Sequence, residues 1–159
     1  MNQLNTKVAI ITGGGSGIGA AAAERIAEHG AAVMVTDINA QAAEQTALVI
    51  QQRGQKAQAL AQDVADPDGW QMVFEQTAKA FGPANVLVNN AGVSGAGRDR
   101  FEEPDGLDAW RQIMSINLDA VNYGCRIAIQ EMKVSGGVIV NISSVMGLVG
   151  GAGPAYNAS

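Results

Sequence analysis

Short apolar runs and helix-period stripes alternate along the chain. Residues 7–12 read Lys-Val-Ala-Ile-Ile-Thr and run into glycines, which predicts a strand buried on both faces, as in a parallel sheet. A helix is predicted over 17–28, with Ile18, Ala22 and Ile26 on one face. Residues 32–36 form a second strand and 41–53 a second helix ended by Gly54. A weaker third strand covers 56–62. Asp66-Pro67 then reads as a helix start, an N-cap carboxylate followed by proline at the first helical position. Trp70, Val73, Phe74, Thr77 and Phe81 share one face of that helix. Residues 86–88 are a fourth strand. Residues 107–133 predict one long helix with a stripe of Trp110, Ile113, Met114, Leu118, Val121, Cys125 and Met132. A fifth strand covers 137–142. Five strands alternating with helices imply an α/β fold, a doubly wound parallel sheet with right-handed crossovers.

The chain's 159 residues suit a single domain spanning 1–159, and 47% hydrophobic with 16% charged residues suits one that buries a core. The net charge of −5 offers none of the basic footprint expected of a nucleic-acid binder. No run of eighteen apolar residues predicts a membrane span. Cys125 is the only cysteine, so neither an internal disulfide nor a cysteine-rich metal site is expected. No signal-peptide pattern precedes the first strand, and a cytoplasmic location fits.

The first strand-to-helix junction carries the chemistry. Gly13, Gly14, Gly15, Gly17 and Gly19 crowd this turn. Glycines permit positive φ and close backbone approach, and the helix N-terminus beyond them offers free N–H groups and a positive dipole end to a phosphate. Ala20 stands where a nucleotide-hydrolysing P-loop needs lysine. The segment Gly15-Ser16-Gly17-Ile18-Gly19-Ala20 instead satisfies the looser dinucleotide pattern. Asp37, eighteen residues after Gly19, ends the second strand. A carboxylate there accepts hydrogen bonds from adenosine ribose hydroxyls and repels a 2′-phosphate, so NAD is favoured over NADP.

Further segments resemble the short-chain dehydrogenase/reductase family over essentially the whole chain. Thr12-Gly13-x-x-x-Gly17-x-Gly19 matches its cofactor loop, and Asp63-Val64 the pair that lies against adenine. Asn89-Asn90-Ala91-Gly92 matches its turn after the fourth strand, Asn117 its helix asparagine, Ser144 its catalytic serine, and Tyr156 the opening of its Tyr-x-x-x-Lys motif. The resemblance implies a Rossmann-type sheet of order 3-2-1-4-5. It implies an NAD(H)-dependent oxidoreductase interconverting a secondary alcohol and its ketone, with cyclic alcohols, steroids or sugars as candidate substrates. It also implies a homo-oligomer, tetramer or dimer. Gly13, Gly15, Ser16, Gly17, Ile18, Gly19, Asp37, Asp63, Val64, Asn90, Ala91, Gly92 and Tyr156 would hold the cofactor.

An unperturbed tyrosine titrates near ~10, so a general acid/base at neutral pH needs positive neighbours. The resemblance gives that role to Tyr156, with Ser144 orienting the substrate oxygen and Asn117 in a proton relay. The motif's lysine would fall one residue beyond Ser159. The expectation is a C-terminally incomplete member lacking its last strands, with an apolar edge at Val138-Ile139-Val140. A non-catalytic dinucleotide-binding module, or an inactive fragment, is the rival reading. His29 receives no role. Arg98, Asp99 and Arg100 are expected to be solvated loop charges.

Overall fold

The computed structural model describes residues 3–95, 106–150 and 153–159. β1 (Val8–Thr12) is buried at every position, as a central strand must be when helices cover both faces. It pairs in parallel with β2 (Ala32–Asp37) on one side and β4 (Val86–Asn89) on the other. β3 (Ala57–Ala61) extends the sheet beside β2, and β5 (Val138–Asn141) beside β4. The order is β3-β2-β1-β4-β5, as expected. The connections diverge between β1 and β4. In open α/β sheets the crevice beyond the strand carboxyl ends at that point is where ligands bind.

Alternating side chains of the strands feed two cores. Ile11, Val33 and Val35 meet Ala23 and Ala27 of α1 (Gly17–Glu28) and Ala43, Ala47 and Ile50 of α2 (Ala40–Gln52). Ile10, Met34 and Leu87 meet Trp70, Val73 and Phe74 of α3 (Gly69–Phe81) and Ala120, Ala128 and Met132 near α5 (Ala120–Glu131). Alanine dominates the helix faces, so the helices lie close to the sheet.

Two expectations shift. α3 begins at Gly69 rather than Pro67. The Asp66 carboxylate accepts the Asp68 N–H at 3.1 Å, so it closes a turn ahead of the helix, a local bond that short acidic side chains favour. The long helix is also interrupted. α4 (Gly106–Met114) passes through a π-helical turn, Ser115–Asp119, into α5. The wider turn absorbs an extra residue and rotates α5 relative to α4. The buried line after it is Ala120, Gly124, Ala128 and Met132, while Leu118 is exposed. A Cβ on Gly124 would lie 2.6 Å from both Asn89 Oδ1 and the Trp70 ring. Small residues there are therefore a packing requirement.

β5 lies at the edge of the sheet, and Val138 and Val140 remain exposed. Beyond it come two short helices, α6 (Met146–Val149) and α7 (Pro154–Ala158). Among the described residues no helix is long and apolar enough to cross a membrane.

Candidate active site

The glycine loop is held open by β4. Thr12 Oγ accepts the N–H groups of Asn90 and Ala91, both at 3.1 Å, and donates to the Val88 carbonyl at 3.4 Å. Asn90 Nδ2 donates to the carbonyls of Thr12 at 2.9 Å and Gly13 at 3.2 Å. The two turns beyond β1 and β4 are thereby laced into one wall. Gly13 has φ +61°, and a Cβ on it would sit 2.8 Å from Ala91 Cα. A Cβ on Gly19 would collide with the Gly13 carbonyl oxygen. These side chains are absent because backbone occupies their space.

A cleft of about 420 Å³ opens against this wall. Of the residues expected to hold the cofactor, Gly13, Ser16, Gly17, Ile18, Asp37, Asp63, Val64, Asn90, Ala91 and Gly92 line it. Gly15 and Gly19 shape the loop without lining it. The first turn of α1 contains no acidic residue, and its leading N–H groups lack intrahelical acceptors. A phosphate is the natural occupant of that end.

Asp37 closes the far end of the cleft. Its Oδ2 accepts the Gly15 N–H at 3.0 Å and its Oδ1 the Asn39 N–H at 2.9 Å, which fixes the carboxylate's direction. Asp63 Oδ1 accepts the Ala65 N–H at 2.9 Å. The Val64 carbonyl accepts the Trp70 indole N–H at 2.9 Å, so the turn that carries both residues is anchored in the core. Ile38, Gln62, Val93 and Ile116 also line the cleft and are absent from the predicted set. Only the strand alternation of Gln62 with Leu60 could have signalled one of them.

The predicted catalytic residues lie to the side. Asn117 sits in the π turn. Its Oδ1 accepts the Val93 N–H and its Nδ2 donates to the Val93 carbonyl, both at 2.9 Å. Nδ2 also donates to Ser159 Oγ at 3.0 Å, and that hydroxyl donates to the Tyr156 carbonyl at 3.3 Å. The π turn is thus tied to the segment that carries Tyr156. Pro154 starts α7, whose Ala155 is fully buried, and α7 packs against α4. Ser144 Oγ accepts the Met146 N–H at 3.2 Å, which leaves its own proton for another acceptor. α6, which comes directly after Ser144 and Val145, packs on α7. Neither Ser144 nor Tyr156 lines the cleft. Arg98, Asp99 and Arg100 lie outside the described residues.

Asn89 has another task. It is buried, and its Nδ2 donates to Asn141 Oδ1 at 2.9 Å, with Cys125 Sγ at 3.6 Å. It staples β4 to β5.

Residues 7–159 match the family model described as short chain dehydrogenase. The chain belongs to the short-chain dehydrogenase family. It is similar to an NADP-dependent (R)-specific alcohol dehydrogenase of Lentilactobacillus kefiri, 41% identical over 99% of this chain and 62% of that protein. It is similar to a cyclohexanol dehydrogenase of an Acinetobacter species, 37% identical over 94% of this chain and 59% of that protein. A 3beta-hydroxysteroid dehydrogenase of Mediterraneibacter gnavus is 35% identical over 94% of this chain and 54% of that protein. The chain therefore spans a little over half the length of these short-chain dehydrogenases. The family implies a nicotinamide dinucleotide. The cleft fits one, because it runs from the bare N–H groups at the start of α1, beside Ser16, Gly17 and Ile18, to the Asp37 carboxylate at its other end.

Proposed function

We propose that this protein is an NAD(H)-dependent oxidoreductase that interconverts a secondary alcohol, of cyclic or steroid type, and its ketone. The observation that carries the cofactor choice is Asp37. Its carboxylate is fixed by two backbone N–H groups at the end of β2. Among the described residues no lysine or arginine lines the cleft, which instead holds a second carboxylate, Asp63. A ribose 2′-hydroxyl suits that end, whereas a 2′-phosphate would be repelled.

The leading turn of α1, from Ser16 to Ile18, would hold the pyrophosphate, and Asp63 with Val64 would flank the adenine. The bound nicotinamide supplies hydride exchange with the substrate carbon. The chain's own residues manage the proton and the oxygen. The Tyr156 phenol takes the hydroxyl proton in oxidation and returns it in reduction. The Ser144 hydroxyl, which accepts the Met146 N–H and keeps a proton to donate, holds the substrate oxygen. Asn117 positions the Tyr156 segment through Ser159 and fixes Val93 at the cleft wall.

Substrate class draws support from relatives named for cyclohexanol and hydroxysteroid oxidation. The same reading makes the protein a cytoplasmic homo-oligomer. A lone cysteine fits a reducing compartment.

The test is calorimetric titration with NAD⁺ and NADP⁺, then NAD⁺ reduction with cyclohexanol and a 3β-hydroxysteroid in the protein that carries this chain. Preference for NAD⁺, with turnover abolished in Tyr156→Phe, supports the proposal. Tight NAD⁺ binding without turnover on any secondary alcohol would identify a non-catalytic dinucleotide-binding module instead.

A further inference from the structure

Ser159 lies three residues beyond Tyr156, a spacing that sets both on one side of α7. α7 has five residues, too few to stand as a helix alone, so its neighbours set its place and its rotation. α4 and α6 pack on it, and Ser159 adds a directional contact. Its hydroxyl accepts from Asn117 Nδ2 at 3.0 Å and donates to the Tyr156 carbonyl at 3.3 Å. A serine hydroxyl carries a single proton. The Tyr156 carbonyl takes that proton and Asn117 takes a lone pair, so the joint has one polarity.

Asn117 is equally committed. Its Oδ1 takes the Val93 N–H, while Nδ2 serves the Val93 carbonyl and Ser159 Oγ. Turning the amide over would oppose like groups at Val93. Val93 and Ile116, the neighbour of Asn117, both line the cleft, whereas Tyr156 and Ser159 do not. Val93 is 37% exposed, so a ligand in the cleft covers apolar surface there. One hydrogen-bonded path therefore runs from the cleft wall, through the π turn, to the backbone of Tyr156.

We propose that the Ser159 hydroxyl is the joint through which occupancy of the cofactor cleft steadies Tyr156, which makes Ser159 a positioning residue. This rests on the reading of the cleft as a dinucleotide site and of Tyr156 as the acid/base. A ligand packed on Val93 and Ile116 quiets the π turn, and the joint passes that order to α7. Without the hydroxyl the cleft keeps its walls, but α7 is free to rotate. Rotation about its axis sweeps the phenol sideways, and misplacing a catalytic group by ~1 Å costs on the order of 100-fold in rate.

The test is hydrogen exchange with and without saturating NAD⁺, in the protein that carries this chain, for the wild type, Ser159→Ala and Ser159→Thr. The amides of residues 157 and 159, bonded to the carbonyls of Gly153 and Ala155 at 3.0 Å, report on α7. In the wild type NAD⁺ should slow their exchange by at least about five-fold, the low end of coupling between two sites. Ser159→Ala should lose that response, keep its NAD⁺ affinity and fall at least ~10-fold in kcat with KM little changed. Ser159→Thr, which keeps the hydroxyl, should restore both the response and the rate. Ser159→Val against Ser159→Thr repeats the comparison at equal volume. A merely structural serine would quicken α7 exchange with and without NAD⁺ alike and leave the response intact, which overturns the proposal. A wild type that binds NAD⁺ while its α7 ignores it overturns the proposal too, as does an unchanged kcat in Ser159→Ala. If α7 responds as expected but no secondary alcohol turns over, the joint stands and the acid/base reading of Tyr156 falls. If NAD⁺ does not bind, the dinucleotide reading falls, and this proposal with it.

Discussion

Thr12 and Asn90 hold each other in both directions: Thr12 Oγ accepts the Asn90 N–H at 3.1 Å, and Asn90 Nδ2 donates to the Thr12 carbonyl at 2.9 Å. Thr12 is buried and also serves the Ala91 N–H. Thr12→Val keeps the shape and strands two N–H groups. Each stranded group costs about 1–3 kcal/mol, so the variant should lose at least ~2 kcal/mol in urea unfolding. NAD⁺ affinity should fall with it, because the glycine loop loses its tether. Thr12→Ser should restore both.

Asp37 is predicted to set cofactor choice. Asp37→Ser removes the carboxylate and its repulsion toward a 2′-phosphate. A charge-assisted hydrogen bond contributes about 1.5–3 kcal/mol, so NAD⁺ should bind ~10- to 100-fold more weakly while NADP⁺ gains. The ratio of the two dissociation constants, measured by titration, reads this directly. An unchanged ratio would mean that Asp37 serves the Gly15 and Asn39 N–H groups alone.

The glycine loop and Asp37 were legible in the sequence because backbone demands leave a residue signature: no side chain fits where Gly13 meets Ala91. The strand order came from the alternation of elements and the family resemblance. The π turn at Ser115–Asp119 left no such mark. The helix-period stripe of the sequence runs straight through it and places Leu118 and Val121 on the line that Ala120 and Gly124 occupy. Gln62 escaped because a glutamine at a strand end is ordinary in sequence, and its place on the cleft wall exists only in three dimensions. The same holds for Asn89, whose staple to Asn141 depends on register between β4 and β5.

Gly124→Ala tests the packing of α5. The added methyl would press on Trp70 and Asn89, and overpacking of this kind costs about 1–3 kcal/mol. The melting temperature should fall, although alanine is the better helix former. At Gly54, where φ is +77° but nothing lies within 4 Å, alanine should cost about 1–2 kcal/mol through backbone strain alone. An unchanged or raised melting temperature in Gly124→Ala would contradict the packing argument.

Acid should loosen the contact between α1 and α2. The Arg25 guanidinium, hydrogen-bonded to Glu28, holds that carboxyl below its ordinary value, with Arg53 adding to the effect. A pKa depressed by folding gives stability that is present above the unfolded value and lost as pH falls through the folded one. Glu28→Gln should therefore flatten stability against pH below the ordinary glutamate range and leave neutral stability nearly unchanged, since exposed ion pairs contribute little. Urea midpoints across that range check it.

Asn117 separates positioning from chemistry. Its amide brackets Val93 with two bonds and reaches Ser159 with a third. Asn117→Ala frees the Val93 N–H, whose hydrogen exchange should quicken while amides of β1 keep their protection. Dinucleotide affinity should change little, because Asn117 does not line the cleft. Turnover in the protein that carries this chain should fall by at least ~10-fold, the scale of one lost hydrogen bond of about 1.4 kcal/mol in the transition state. The loss should appear in kcat more than in KM. If affinity collapses instead, Asn117 supports the cofactor wall through Val93 and has no separate bearing on Tyr156.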